Sequence, residues 1–139
     1  MSEKLKEAGF SVHSTDLIDR GYGVGGVDFL SQTTPFNGHI VTNPPYKFAQ
    51  EFVEHALSLV HPGNKVCMFL KLQFLESKSR RKLFDVTPPK TVYVCSGRVL
   101  CAKNGDFDAM RAGGGSAISY AWFVWEKGHQ NDTILKWIN

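Results

Sequence analysis

Long apolar runs are missing from this chain of 139 residues. No segment of about 18 consecutive apolar side chains exists, so no membrane-spanning helix is predicted. The opening stretch MSEKLKEAGF is polar where an export signal would be apolar, and the expectation is a cytoplasmic protein. Cysteine is scarce and odd in number: Cys67, Cys95 and Cys101. Three thiols cannot pair off into a disulfide framework, and two of them lie in apolar runs, where cysteine behaves as a small hydrophobe in a reducing compartment. Neither sign of charge dominates: 16 Lys and Arg against 13 Asp and Glu leave +3, which permits an anionic partner without requiring one. Metal-ligand spacing is absent as well. His13, His39, His55, His61 and His129 form no paired set, and Cys95 with Cys101 makes no zinc knuckle, so no metal is expected. Repeats and low-complexity tracts are also lacking.

What is present is apolar content enough for one core. With 42% hydrophobic residues, a single domain over 1–139 is expected to bury roughly 70% of its unfolded surface. Residues 2–8 read as a short helix stopped at Gly9, and FSVHSTD as a strand ending at Asp16. HIVTN reads as a second strand. From Phe48 to Val60 the apolar residues Phe48, Ala49, Phe52, Val53, Ala56, Leu57 and Val60 share one face at a period near 3.6, which predicts a helix. KVCMFLKL comes next as a strand, then ESKSRRKLF as a basic helix halted before Pro88 and Pro89, and KTVYVC as another strand. A long loop over about residues 98–118 precedes the strand YAWFVWEK, whose Tyr120, Trp122, Phe123 and Trp125 are read as core, and a polar tail closes on Trp137. Strands alternating with helices, and strands that are apolar throughout, predict an α/β fold with a mostly parallel sheet covered by helices on both faces. Ligands of such sheets bind beyond the carboxyl ends of the strands, where Asp16, Asp28 and Asn43 fall in this reading.

The stretch IVTNPPYKF carries the chemistry. Asn43-Pro44-Pro45-Tyr46 could serve as a rigid strand-to-helix turn alone. Yet an asparagine amide oxygen beside a peptide carbonyl, stiffened by two prolines that donate no N–H, is a pair of acceptors matched to the two hydrogens of an exocyclic amine. Tyr46 adds a flat face on which a nucleobase can stack, worth on the order of 1–3 kcal/mol per base. The run GYGVGG neither matches GxGxxG nor sits between strand and helix, and is assigned no phosphate role. Basic residues Lys78, Arg80, Arg81 and Lys82 are either phosphate contacts or a solvated helix face. Arg98, Lys103 and Arg111 lie around Gly113–Gly115 in the long loop, the segment expected to contact the target.

TNPPY after an apolar strand resembles the catalytic motif of S-adenosylmethionine-dependent DNA methyltransferases that act on amines, the N6-adenine enzymes above all. Asp16, at the end of VHSTD, is similar to the family's acidic residue that holds the ribose hydroxyls of the cofactor. Asp28 and Phe29 of VDFL resemble the pair that contacts the cofactor's adenine by a hydrogen bond and by stacking. The order of the three blocks is the family's order, and the later strands FLES and YAWFVWEKG resemble those of phage and bacterial relatives in restriction and modification. The resemblance implies a Rossmann-like class I methyltransferase fold, here N-terminally truncated and lacking the first strand and the Gly-rich loop. It also implies S-adenosylmethionine as cofactor, with Asp16, Asp28, Phe29 and Asn43 around it. Asn43, Pro44, Pro45 and Tyr46 then carry catalysis, on an adenine flipped from DNA or already single-stranded. Arg80, Arg81, Arg98, Lys103 and Arg111 would face the nucleic acid, and self-association would complete the sheet. Two other readings stay open: an inactive relative serving as a nucleic-acid-binding or assembly module, and a protein glutamine methyltransferase, whose side-chain amide presents a similar planar amine.

Overall fold

The computed structural model describes residues 1–101, 108 and 118–139. The chain divides into two compact units, Met1–Thr34 and Pro35–Asn139.

In the first unit, α1 (Ser2–Glu7) ends where Gly9 turns the chain at φ +89°. The expected strand FSVHSTD is extended, with side chains alternately half-buried and exposed, but among the described residues it has no ladder. A single bridge joins Thr15 to Val24, through Val24 N–H to the Ser14 carbonyl at 2.9 Å and Asp16 N–H to the Val24 carbonyl at 3.0 Å. Extended backbone becomes a strand only with a neighbour to pair along its length. The glycine run supplies this close return. Gly23 sits at φ +71°, and a Cβ there would come within 2.5 Å of the Ser14 carbonyl oxygen.

The second unit holds a five-stranded sheet: β1 (Ile40–Thr42), β2 (Lys65–Lys71), β3 (Thr91–Cys95), β4 (Tyr120–Glu126) and β5 (Ile134–Ile138), in the spatial order β1-β2-β4-β3-β5. β1 pairs parallel with β2 and β3 parallel with β5, while β4 is antiparallel to both neighbours. Four strands therefore share one direction and β4 alone is reversed, a mostly parallel α/β sheet as expected. β5 forms where the sequence predicts a tail.

α2 (Ala49–Leu59) carries β1 to β2, and α3 (Arg81–Val86) carries β2 to β3. Both crossovers advance the same way across the sheet, so the right-handed rule puts both helices on one face. The buried side chains fit that geometry. Val66, Met68 and Leu70 of β2 stand opposite Trp125, Phe123 and Ala121 of β4, and all are at most 1% exposed. Phe74, in the single 3-10 turn Leu72–Leu75 before α3, meets the Phe123 and Trp125 rings edge-on at 5.6 and 6.4 Å. The Trp125 indole N–H donates to the Thr87 carbonyl at 3.0 Å, just past the end of α3. On the opposite face Cys67, Trp122, Val124 and Tyr93 are half-buried, and Phe69, Tyr120 and Thr91 are buried. The sequence predicts helices on both faces, but in this unit both crossover helices lie on one.

α2 keeps the predicted apolar stripe, with Ala49, Val53, Ala56 and Leu59 buried. α3 starts later than expected, at Arg81, because Ser77 and Ser79 bind each other and Ser77 Oγ accepts from the Ser79 N–H. Such local bonds compete with a helical turn.

Candidate active site

β1 ends at Thr42, and the two prolines set the path of the chain beyond it. Pro45 occupies the position before a 3-10 turn, Tyr46–Phe48, that runs directly into α2. Its carbonyl accepts from the Phe48 N–H at 2.8 Å. Asn43 is therefore two residues too early to cap the helix, and its side chain is exposed. Among the described residues, neither the Asn43 amide nor the Pro44 carbonyl has a hydrogen-bond partner. Pro44 is itself buried, so the backbone carrying that carbonyl is anchored. Two acceptors thus adjoin in sequence at the carboxyl end of a strand, with no structural task there among the described residues.

Tyr46 is half-buried beside them. Its ring centroid lies 6.0 Å from that of Tyr120, which stacks on Phe69 at 5.3 Å, and Phe69 in turn meets Trp122 at 5.1 Å. Lys71, the last residue of β2, holds its ammonium 5.2 Å from the Tyr46 ring centre. The Tyr46 hydroxyl is buried next to the Cys101 thiol and Tyr120, without a well-formed hydrogen bond among the described residues. Burial, with the nearby Cys101 and Tyr120 adding to it, pushes its pKa far up, so the phenol stays neutral. Lys71 is a residue that sequence reasoning misses. Its one signal is its place at the carboxyl end of the strand next to the one that delivers Asn43.

Asp16 and Asp28 belong to the first unit, and each holds a local turn. Asp16 Oδ1 accepts from the Ile18 N–H at 2.9 Å, and Oδ2 lies 3.4 Å from Arg20 Nε. Asp28 Oδ1 accepts from the Leu30 N–H at 3.0 Å and Oδ2 from the Ser31 hydroxyl at 2.8 Å, capping the short turn that contains half-buried Phe29. Each carboxylate offers about four lone-pair sites, so both retain capacity to accept from a hydroxyl or an amine. Asp28 is exposed and Asp16 half-buried.

The basic candidates separate by what they touch. Arg80 is spent on structure: Nε donates to the Phe74 carbonyl at 2.8 Å, a terminal nitrogen to Glu76 at 2.9 Å and Gln73 at 3.3 Å, and the guanidinium lies 4.7 Å from the Phe74 ring centre. Arg81 is exposed and pairs with Asp85 at 2.8 Å, one turn along α3. Arg98 is exposed. Lys103 and Arg111, with Gly113–Gly115, lie outside the described residues. Two open depressions, one around Lys90, Glu126, His129 and Asp132 and one around Glu76, Lys78 and Arg81, do not include Asn43 or Tyr46. Among the described residues no cluster of His, Cys, Asp and Glu could hold a metal ion, and no helix is long and apolar enough to cross a membrane. All three cysteines are free thiols.

No family model and no curated protein matches the chain.

Proposed function

We propose that this protein is a methyltransferase-like protein of Rossmann-like class I architecture, directed at the exocyclic N6 amine of adenine in DNA. The observation that carries the reading is a pair of acceptors unengaged among the described residues, Asn43 Oδ1 and the Pro44 carbonyl, at the carboxyl end of β1 with an aromatic ring three residues on. An amine lone pair conjugated into a purine is a poor nucleophile. Accepting both N–H hydrogens draws electron density back onto nitrogen and fixes its direction, a gain realised most fully as the new bond forms. Tyr46 holds the base by stacking, and because its phenol stays neutral it contributes a face and no charge. S-adenosylmethionine, when bound, supplies an electrophilic methyl group on a sulfonium sulfur. Asp16 and Asp28 would accept from its ribose hydroxyls and its adenine, with Phe29 stacking on the ring. The extra proton on the methylated amine leaves to solvent. Free thiols suit a reducing, cytoplasmic setting.

One observation favours a second reading, a noncatalytic nucleic-acid-binding module. Asp16 and Asp28 already have turns to hold, so their presence is explained without a cofactor. Calorimetry with S-adenosylmethionine separates the two, followed by transfer of labelled methyl to duplex DNA, single-stranded oligonucleotides and a glutamine-containing peptide. Binding with transfer to adenine supports the first reading. DNA binding with no cofactor heat at millimolar concentration supports the second, and transfer to the peptide alone would move the amine from base to protein.

A further inference from the structure

Lys71 ends β2, the strand beside the one that delivers Asn43. Thr42 pairs with Met68 in that parallel ladder, and Lys71 lies three residues beyond Met68 as Pro45 lies three beyond Thr42. The two strands therefore bring Lys71 and the Pro44-Pro45-Tyr46 turn to one level at the carboxyl end of the sheet. Side chains alternate along β2, so Lys71 shares with Phe69 the face that carries Trp122 and Tyr120, and Tyr46 meets Tyr120 there. Lys71 is half-buried, and its ammonium lies 5.2 Å from the Tyr46 ring centre. Among the described residues it has no carboxylate or carbonyl partner. Other lysines differ: Lys90 is bonded to Glu126, Lys127 to the Val60 carbonyl, and the Lys47 ammonium lies over Phe48.

A bound adenine nucleotide offers this cation two kinds of acceptor, a ring nitrogen and a phosphate. A ring nitrogen is the wrong partner. A cation bonded to N1 or N7 draws electron density into the ring and away from the amine, against what Asn43 Oδ1 and the Pro44 carbonyl supply. A phosphate is not conjugated to the amine, and it suits a compact charge on a flexible stem. We propose, resting on the assignment of Asn43, Pro44 and Tyr46 to a target adenine, that the Lys71 ammonium binds a backbone phosphate flanking that adenine. The site then takes a nucleotide in a strand and discriminates against a free base or a side-chain amide. A base stacked on Tyr46 outweighs a cation–π contact partly open to solvent, so the ammonium yields the ring and turns to the phosphate.

The test reads binding and needs no methyl transfer. A single-stranded thymidine oligonucleotide carrying one adenine is titrated by fluorescence anisotropy over a salt series, with the two phosphates flanking the adenine made neutral one at a time as methylphosphonates. Lys71→Met keeps the length of the stem and removes the charge. It should lower the slope of log affinity against log salt by about 0.7, one phosphate on a single strand, which weakens binding roughly fivefold at about 0.1 M salt relative to about 1 M. One of the two methylphosphonates should cost wild type the same amount and cost Lys71→Met nothing further. Lys71→Arg keeps a cation and should keep the slope. Lys136→Met makes the same change of charge on β5, and its effect should add to that of the methylphosphonate. A slope unchanged in Lys71→Met, or losses that add to those of both methylphosphonates, overturns the proposal even where wild type methylates adenine; a purely structural cation–π contact would give that result. A wild type that binds the adenine oligonucleotide no better than thymidine alone overturns the assignment of Asn43 and Tyr46, and the phosphate contact with it.

Discussion

Replacing Tyr46 by phenylalanine separates what the ring does from what the hydroxyl does. Among the described residues the hydroxyl is buried without a well-formed hydrogen bond, beside a thiol and a second phenol. A buried polar group left unpaired costs about 1–3 kcal/mol, so removing it should relieve part of that cost. The ring itself stays, with its 6.0 Å contact to Tyr120 and the Lys71 ammonium 5.2 Å from its centre. Because Tyr46 is only half-buried, the gain should fall at the low end, about 0–1 kcal/mol. Urea unfolding followed by tryptophan fluorescence measures it as a rise in midpoint at constant slope. Methyl transfer should persist in Tyr46→Phe, since stacking needs the ring alone, and should collapse in Tyr46→Ala. A Tyr46→Phe variant destabilised by more than about 1 kcal/mol would mean that the hydroxyl is bonded, and the reasoning would fail.

Arg80→Ala should destabilise the second unit by about 1.5–3 kcal/mol, the range for hydrogen bonds to a charged group, because three carbonyls of residues 73–76 lose a charged donor, the Gln73 carbonyl keeping the Glu76 N–H. In filter-binding titrations it should leave the salt slope of DNA affinity unchanged, whereas Arg98→Ala should reduce it if Arg98 meets phosphate. The Lys90 ammonium, bonded at 2.7 Å, holds the Glu126 carboxyl below the usual carboxylate range. A pKa depressed by folding contributes stability that is present above the unfolded value near 4.5 and lost as pH falls through the lower folded value. Unfolding midpoints measured from pH 6 downward, a range of about three units, should decline less steeply in Glu126→Gln than in wild type.

The sequence is most legible where burial dictates pattern. α2 shows its apolar stripe because one side of a helix must meet the sheet, and β2 and β4 are apolar between their charged end residues because there both of their faces are at least half-covered. β5 is hidden for the opposite reason: exposed on its outer edge, it mixes isoleucine and tryptophan with lysine and comes after the polar run GHQNDT, so nothing marks it as core. FSVHSTD carries the alternation of a strand, and its local conformation agrees, but pairing is not a local property and among the described residues only Val24 meets it. The site divides along the same line. Which residues stand at the carboxyl end of β1 can be read from an apolar run that stops at Asn43, and so can the rigidity that Pro44 and Pro45 impose. That the Pro45 carbonyl, and not that of Pro44, closes the turn cannot, since it depends on the exact entry of the chain into α2. Arg80 looks like its neighbours Arg81 and Lys82 in a basic run; only the fold turns its guanidinium onto three carbonyls.

Asn43→Ala is the most direct test of the central claim. The side chain is exposed and has no partner among the described residues, so its removal should change stability by no more than about 0.5 kcal/mol. Losing one fixed hydrogen-bond partner of a reacting group typically costs about 10²–10³ in kcat, and methyl transfer to adenine should fall by that factor at unchanged unfolding midpoint. Equal transfer rates for wild type and variant would contradict the account, as would a wild type that transfers nothing.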